Sequence, residues 1–173
     1  MRPTILALAI AVTASLACRP TTPRPYFAPV TGAPSGEIEL DPIPATDAIA
    51  DVLKSDSFPV TKVERRDGYV ETAWFDAGTK QPVSGRILGP DIVQIRAWVN
   101  PAKLHTSRVT IETTYRPLAD PSLSPRELDR QVPPDHPVGK RVVEIVTELA
   151  KLYAHTTEPE PAAARDSAAT PEQ

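Results

Sequence analysis

The chain has a single cysteine, Cys18, so neither an internal disulfide nor a thiolate metal cluster can form, and stability must come from packing. Histidine is nearly as scarce. His105, His136 and His155 are the only three, with no His-x-x-x-His spacing, no clustered carboxylates and no Asp-x-Asp loop to supplement them. A metal centre with three convergent protein ligands is therefore not expected. Lysine and arginine number 19 against 22 acidic residues, a formal charge of -3, and the basic stripe that a nucleic-acid binder requires is missing. Gly85 and Gly89 are not followed by Gly-Lys-Ser/Thr and precede a strand-like stretch, so they serve a turn-rich loop and not a phosphate cradle. No cofactor motif is present. The apolar run at the N-terminus ends by Cys18, short of the ~20 residues that span a bilayer core.

What the chain does have is proline, 21 residues of it, concentrated outside the periodic stretches. Five of them, Pro20, Pro23, Pro25, Pro29 and Pro34, lie among Thr, Ala and Gly, a composition that buries too little apolar surface to fold alone. Residues 18–36 read as a semi-extended tether of ~3.1 Å per residue where polyproline-like. Tyr26 and Phe27 are bulky enough to dock on the domain or on a partner, although a solvated tether is the plainer reading. Residues 156–173, with Pro159, Pro161, Pro171 and a run of Ala, Glu and Asp, read as a disordered tail.

At the N-terminus, Arg2 supplies a positive charge, Ile5 to Val12 a short hydrophobic segment, and Ala14, Ser15 and Ala17 the small residues of a cleavage site, so residues 1–17 read as a signal peptide. The run Ser15-Leu16-Ala17-Cys18 resembles the lipobox of bacterial lipoproteins, although that family usually places leucine three residues before the cysteine, where Ser15 stands here. The resemblance implies that Cys18 becomes the first mature residue and carries acyl chains that anchor the chain to a membrane. Arg19 stands where an aspartate would signal inner-membrane retention, which implies the periplasmic face of the outer membrane in a cell that has one. The alternative is an ordinary secreted protein with a free thiol.

Between residues 37 and 155 the periodicities suggest one α+β domain. Glu37 to Leu40 alternates and suggests a short edge strand. Ala45, Ile49, Val52 and Leu53 fall at helical spacing, with Thr46 as N-cap and Ser55-Asp56-Ser57 as the stop. Phe58 to Arg66 and Tyr69 to Asp76 flank Asp67-Gly68, which suggests a type I′ hairpin. Asp91 to Val99 and His105 to Arg116 suggest a second hairpin around Asn100-Pro101. Its inward face carries Val93, Ile95, Ala97 and Val99 beside Val109, Ile111, Thr113 and Tyr115. Ser124-Pro125-Arg126-Glu127 has capping-box form and starts a helix of about two turns, ended by Pro133 and Pro134. A longer helix begins near Asp135-His136-Pro137, with a stripe of Val138, Val142, Ile145, Val146, Leu149, Leu152 and Tyr153.

The expected fold is a single two-layer α+β domain. An antiparallel sheet of four strands, five with the edge strand, packs on a long C-terminal helix and a short N-terminal helix. In element order alone it resembles the helix-grip domains of the C subunit of the β-barrel assembly machinery, itself a lipoprotein, and the two-layer lipopolysaccharide-assembly lipoprotein. That resemblance carries no functional residue.

Candidate chemistry is sparse. Asp135-His136 could be the orienting pair of a hydrolase triad, but no serine lies in a nucleophile elbow, and an acid beside the helix start is more simply a cap. Arg65-Arg66 reads as a solvated hairpin tip. The outward face of the second hairpin is less bland, since Trp98 beside Arg96, with Arg116 on the next strand and Trp74 nearby, has the composition of an interface hot spot. The competing reading has the loop from Ala77 to Pro90 fold over Trp98 as a second small core. The leading expectation is a non-enzymatic, membrane-tethered accessory lipoprotein holding an envelope protein partner through that face or the tether. The alternative is a carrier or sensor that binds a lipid or other apolar small molecule between sheet and helix.

Overall fold

The period-two alternation of the second hairpin produces the longest strands among the described residues, β5 (Gly89–Lys103) and β6 (Thr106–Arg116). They are paired antiparallel from Gly89↔Arg116 to Lys103↔Thr106. The turn is not at Asn100-Pro101 but at Leu104-His105, where His105 takes a φ of 55°. Pro101 stays in the strand next to a register shift between Pro101 and Lys103, a place where a missing N–H is tolerated. The computed structural model from which these elements are read describes residues 23–85 and 87–154. The expected signal peptide, Cys18, His155 and the tail from 156 lie outside the described residues.

Around this hairpin stand β1 (Ser35–Ile38), β2 (Val60–Glu64), β3 (Tyr69–Thr72), β4 (Phe75–Asp76) and β7 (Arg130–Gln131). All pairings are antiparallel, in the order β1-β6-β5-β3-β2, with β4 on β5 and β7 on β6. Among the described residues the sheet thus has seven strands where four or five were expected. The stretch Tyr69 to Asp76 is split between β3 and β4 by Ala73 and Trp74, and β7 is too short to leave a periodic signal. The hairpin of β2 and β3 also differs from expectation. Glu64 faces Tyr69, so four residues form the loop, and only Gly68 of the Asp67-Gly68 pair has positive φ, at 61°. Glycine is required there, because a Cβ would lie 2.3 Å from the Val99 carbonyl oxygen.

Helix α1 (Pro42–Ser55) starts earlier than its apolar spacing indicated. Pro42 occupies the first turn, where its missing N–H costs nothing, and Thr46 is inside the helix, donating from Oγ1 to the Pro42 carbonyl at 2.6 Å. Helix α2 (Pro125–Leu128) is a single turn. It carries the expected capping interaction, with the Ser124 N–H donating to Glu127 Oε2 at 2.8 Å. Helix α3 (Pro137–Leu152) buries Val138, Val142, Ile145, Val146 and Leu149, whereas Leu152 is solvent-facing.

α1 and α3 cover one sheet face, and Val93, Ile95, Ala97, Val99, Val109 and Ile111 fill the space between the layers. Each valine or isoleucine side chain among them contributes ~1.5–3 kcal/mol when fully buried. Arg141 of α3 ties the layer together by pairing with Asp56, at the end of α1, and with Glu144 and Glu148. No described helix is long and apolar enough to cross a membrane.

Candidate functional site

The opposite sheet face presents a different chemistry. Gln94, Arg96 and Trp98 of β5 alternate with the core residues, and so do Thr110, Glu112 and Thr114 of β6, directly across in the register. Three of them are charged or aromatic and yet buried: Trp98 is 1 %, Arg96 7 % and Glu112 0 % exposed. The expectation that Arg96 and Trp98 form an open partner-binding surface is therefore corrected. They do share the outward face, but that face is covered.

The cover is the N-terminal segment itself. Residues 23–30, expected as solvated tether, lie across the sheet as a strap. Arg24 donates from Nη1 to the Asp67 carbonyl at 2.7 Å and from Nη2 to Asn100 Oδ1 at 2.7 Å. Burial lowers the Arg24 guanidinium pKa, opposed by the charges of Asp67 and Tyr69. Phe27 packs edge-on against Trp98, with ring centroids 6.2 Å apart, and Tyr69 meets the same indole at 5.5 Å. Such aromatic pairs add ~0.5–1.5 kcal/mol beyond their burial. The Val30 N–H donates to Glu112 Oε2 at 2.7 Å, and Arg126 donates to the Ala28 carbonyl. Tyr26, by contrast, points to solvent and is 91 % exposed. The aromatic pair thus divides, one ring docking and the other not.

Beneath the strap runs an ionic network. Arg96 Nη1 lies 3.0 Å from both Glu112 Oε1 and Asp129 Oδ2. Arg126 Nη1 reaches Glu112 Oε1 at 2.8 Å, and Arg116 Nε donates to Asp129 Oδ1 at 2.9 Å. The guanidinium planes also carry the aromatic rings. Arg96 and Arg126 face Phe27 at 5.5 and 4.3 Å from its centroid, and Arg116 stacks on Trp74 at 4.7 Å. Burial works to lower the Arg96 pKa, but the hydrogen bonds and charges of Asp129 and Glu112 outweigh it and hold the group above the ordinary arginine range. The network is a matched set, since removing one member leaves another buried and unpaired.

Trp74, Arg96, Trp98 and Arg116 therefore do stand together, linked through Asp129 and Phe27. Trp74 and Arg116 alone remain partly open. Glu112 was legible only as an outward residue, and Asp129 not at all. The signal that identifies Glu112 is the cross-strand pairing with Arg96, which requires the turn to be placed at Leu104-His105.

Elsewhere, His136 is the N-cap of α3, and its Nε2 lies 3.1 Å from the Pro90 carbonyl oxygen. Among the described residues no carboxylate orients this imidazole, and no group of three His, Cys, Asp or Glu side chains converges as metal ligands. Beyond Arg116 lies an apolar groove of about 480 Å³ between residues 87–88 and residues 118–128. Comparison of the chain with protein-family models gives no match, and neither does comparison with curated proteins.

Proposed function

We propose that this chain is a non-enzymatic lipoprotein of a bacterial cell envelope, anchored through Cys18, that serves as an accessory holding an envelope partner close to the membrane. The strap carries this reading. Since Arg24 is clamped to Asp67 and Asn100, only about five residues separate Cys18 from the body, and five extended residues reach at most ~18 Å. A lipid at Cys18 therefore sets the orientation as well as the location. The Asp67–Asn100 end faces the bilayer, and the opposite end, with Trp74, Arg116 and the apolar groove, faces away, where a partner can be met.

The resemblance in element order to helix-grip domains of envelope lipoproteins motivates this reading, and Arg19 in place of an aspartate favours the outer membrane. The Asp135-His136 pair gives a hydrolase no support, because the imidazole is engaged by a backbone carbonyl and lies at a helix cap.

Intact mass of the mature protein extracted from membranes, beside that of Cys18→Ala, tests the anchor. The expected result is a mass raised by acyl chains and lost in the variant, whereas an unmodified chain beginning at Cys18 removes the anchor from the proposal. Crosslinking in membranes followed by pull-down tests the accessory role, which fails if no envelope protein is recovered reproducibly.

A further inference from the structure

The groove beyond Arg116 combines two features that seldom coincide on an inert surface. Its walls are aliphatic: Ile87 and Leu88 on one side, Leu118, Leu123 and Leu128 on the other. Leu118 and Leu123 are 50 % and 39 % exposed, so these apolar side chains are not absorbed into the core. Its volume of about 480 Å³ is within the ~300–1,000 Å³ typical of small-molecule sites. Arg116 also lines it, held in place by its Nε bond to Asp129 and by the face of Trp74. Its two terminal nitrogens make no hydrogen bond among the described residues. A guanidinium fixed in this manner offers a preset fork for a carboxylate or phosphate. Among the described residues the other charge on the lining is Asp120, which is turned to its own loop, accepting from the Ser122 N–H at 2.9 Å and from the Ser122 hydroxyl at 2.6 Å.

We infer that this groove binds an anionic amphiphile, with a single acyl chain along the leucine walls and a carboxylate or phosphate headgroup on Arg116. The site is separate from the strap and from the packed space between sheet and helices. It does not depend on the anchor, so it stands or falls apart from the function proposed above.

The test uses the full exported chain carrying Cys18→Ser, which needs no detergent. Laurate, dodecyl phosphate, dodecanol and acetate are titrated below micelle-forming concentrations, and binding is followed by calorimetry and by quenching of Trp74 emission. Saturable one-to-one binding of laurate or dodecyl phosphate is expected, at least tenfold tighter than dodecanol and with no heat from acetate. The relative affinity of the two anions identifies a carboxylate or a phosphate as the preferred head. Arg116→Gln is expected to weaken the better anion about tenfold or more. Leu123→Asp, on an exposed side chain that leaves the fold intact, should weaken it by a similar factor. Absence of saturable binding, dodecanol binding as tightly as the anions, or unchanged affinity in Leu123→Asp would overturn the inference. Binding of an apolar peptide ending in a free carboxylate, with both lipid anions silent, would overturn it equally.

Discussion

The two faces of the β5–β6 sheet are covered by the same chain in two different ways. On one face α1 and α3 meet aliphatic side chains whose attraction is proportional to area and indifferent to direction. On the other, a strap of a few residues covers Trp98 and an ionic network in which every contact has a required partner and angle. Ile111 and Glu112 are neighbours on β6 and both are 0 % exposed, yet one is held by volume and the other by charge balance. The helix-covered face can absorb small changes, but the strap-covered face is held by all its members together.

Substitutions at these adjacent positions should separate the two faces. The largest effect is expected from Glu112→Ala, which strips Arg96 and Arg126 of a shared carboxylate and leaves the Val30 N–H without its acceptor. A loss of about 3–5 kcal/mol in urea unfolding is expected, and a loss below 1 kcal/mol would mean that water replaces the carboxylate and that the two faces are alike. Phe27→Ala should cost less, about 1–2 kcal/mol, and should move the Trp98 emission to longer wavelength as its cover is removed. An unshifted spectrum would show that the strap contributes nothing to the seclusion of this face. Ile111→Val, on the helix side, is expected to cost about 1 kcal/mol with no change in Trp98 emission.

The smallest effect concerns alkaline pH. Tyr69 donates to Glu71 Oε2 at 2.6 Å, and burial, followed by that bond and the negative charge beside it, raises its pKa above the ordinary tyrosine range. Because the folded pKa is the higher one, this contribution is complete below about pH 10 and declines above it as the unfolded chain ionises. Unfolding free energies measured between pH 9 and 11 should therefore fall less steeply in Tyr69→Phe, by up to about 1.4 kcal/mol per pH unit. Parallel slopes in the two proteins would place the ionisation elsewhere.

The contrast also explains what could be read in advance. The helix-covered face was legible because burial by regular elements writes a period into the sequence: alternate aliphatics in β5 and β6, and Val138, Val142, Ile145 and Leu149 in α3. The membership of the other face was also legible, since alternation places Arg96, Trp98 and Glu112 there. Its cover was not, because the strap is irregular and the one large apolar side chain it docks is a phenyl ring. Proline-rich composition points to solvation, and nothing local distinguishes Phe27, which docks, from Tyr26, which does not. The partnership of Arg96 with Glu112 depended on a turn that Asn100-Pro101 advertised and Leu104-His105 formed. A hairpin's register follows its turn, so a few residues of error there rearranged every cross-strand pair.

The strap has a mechanical consequence. Its contacts follow one another along the chain: the Arg24 clamp first, then Phe27, then the Val30 bond to Glu112, and last β1 paired to β6. Tension applied from the N-terminal side meets these contacts one after another, as in peeling tape, and not all at once as in shearing a lap joint. A molecule built in this order yields in steps at low force and exposes Trp98 before its helices feel any strain.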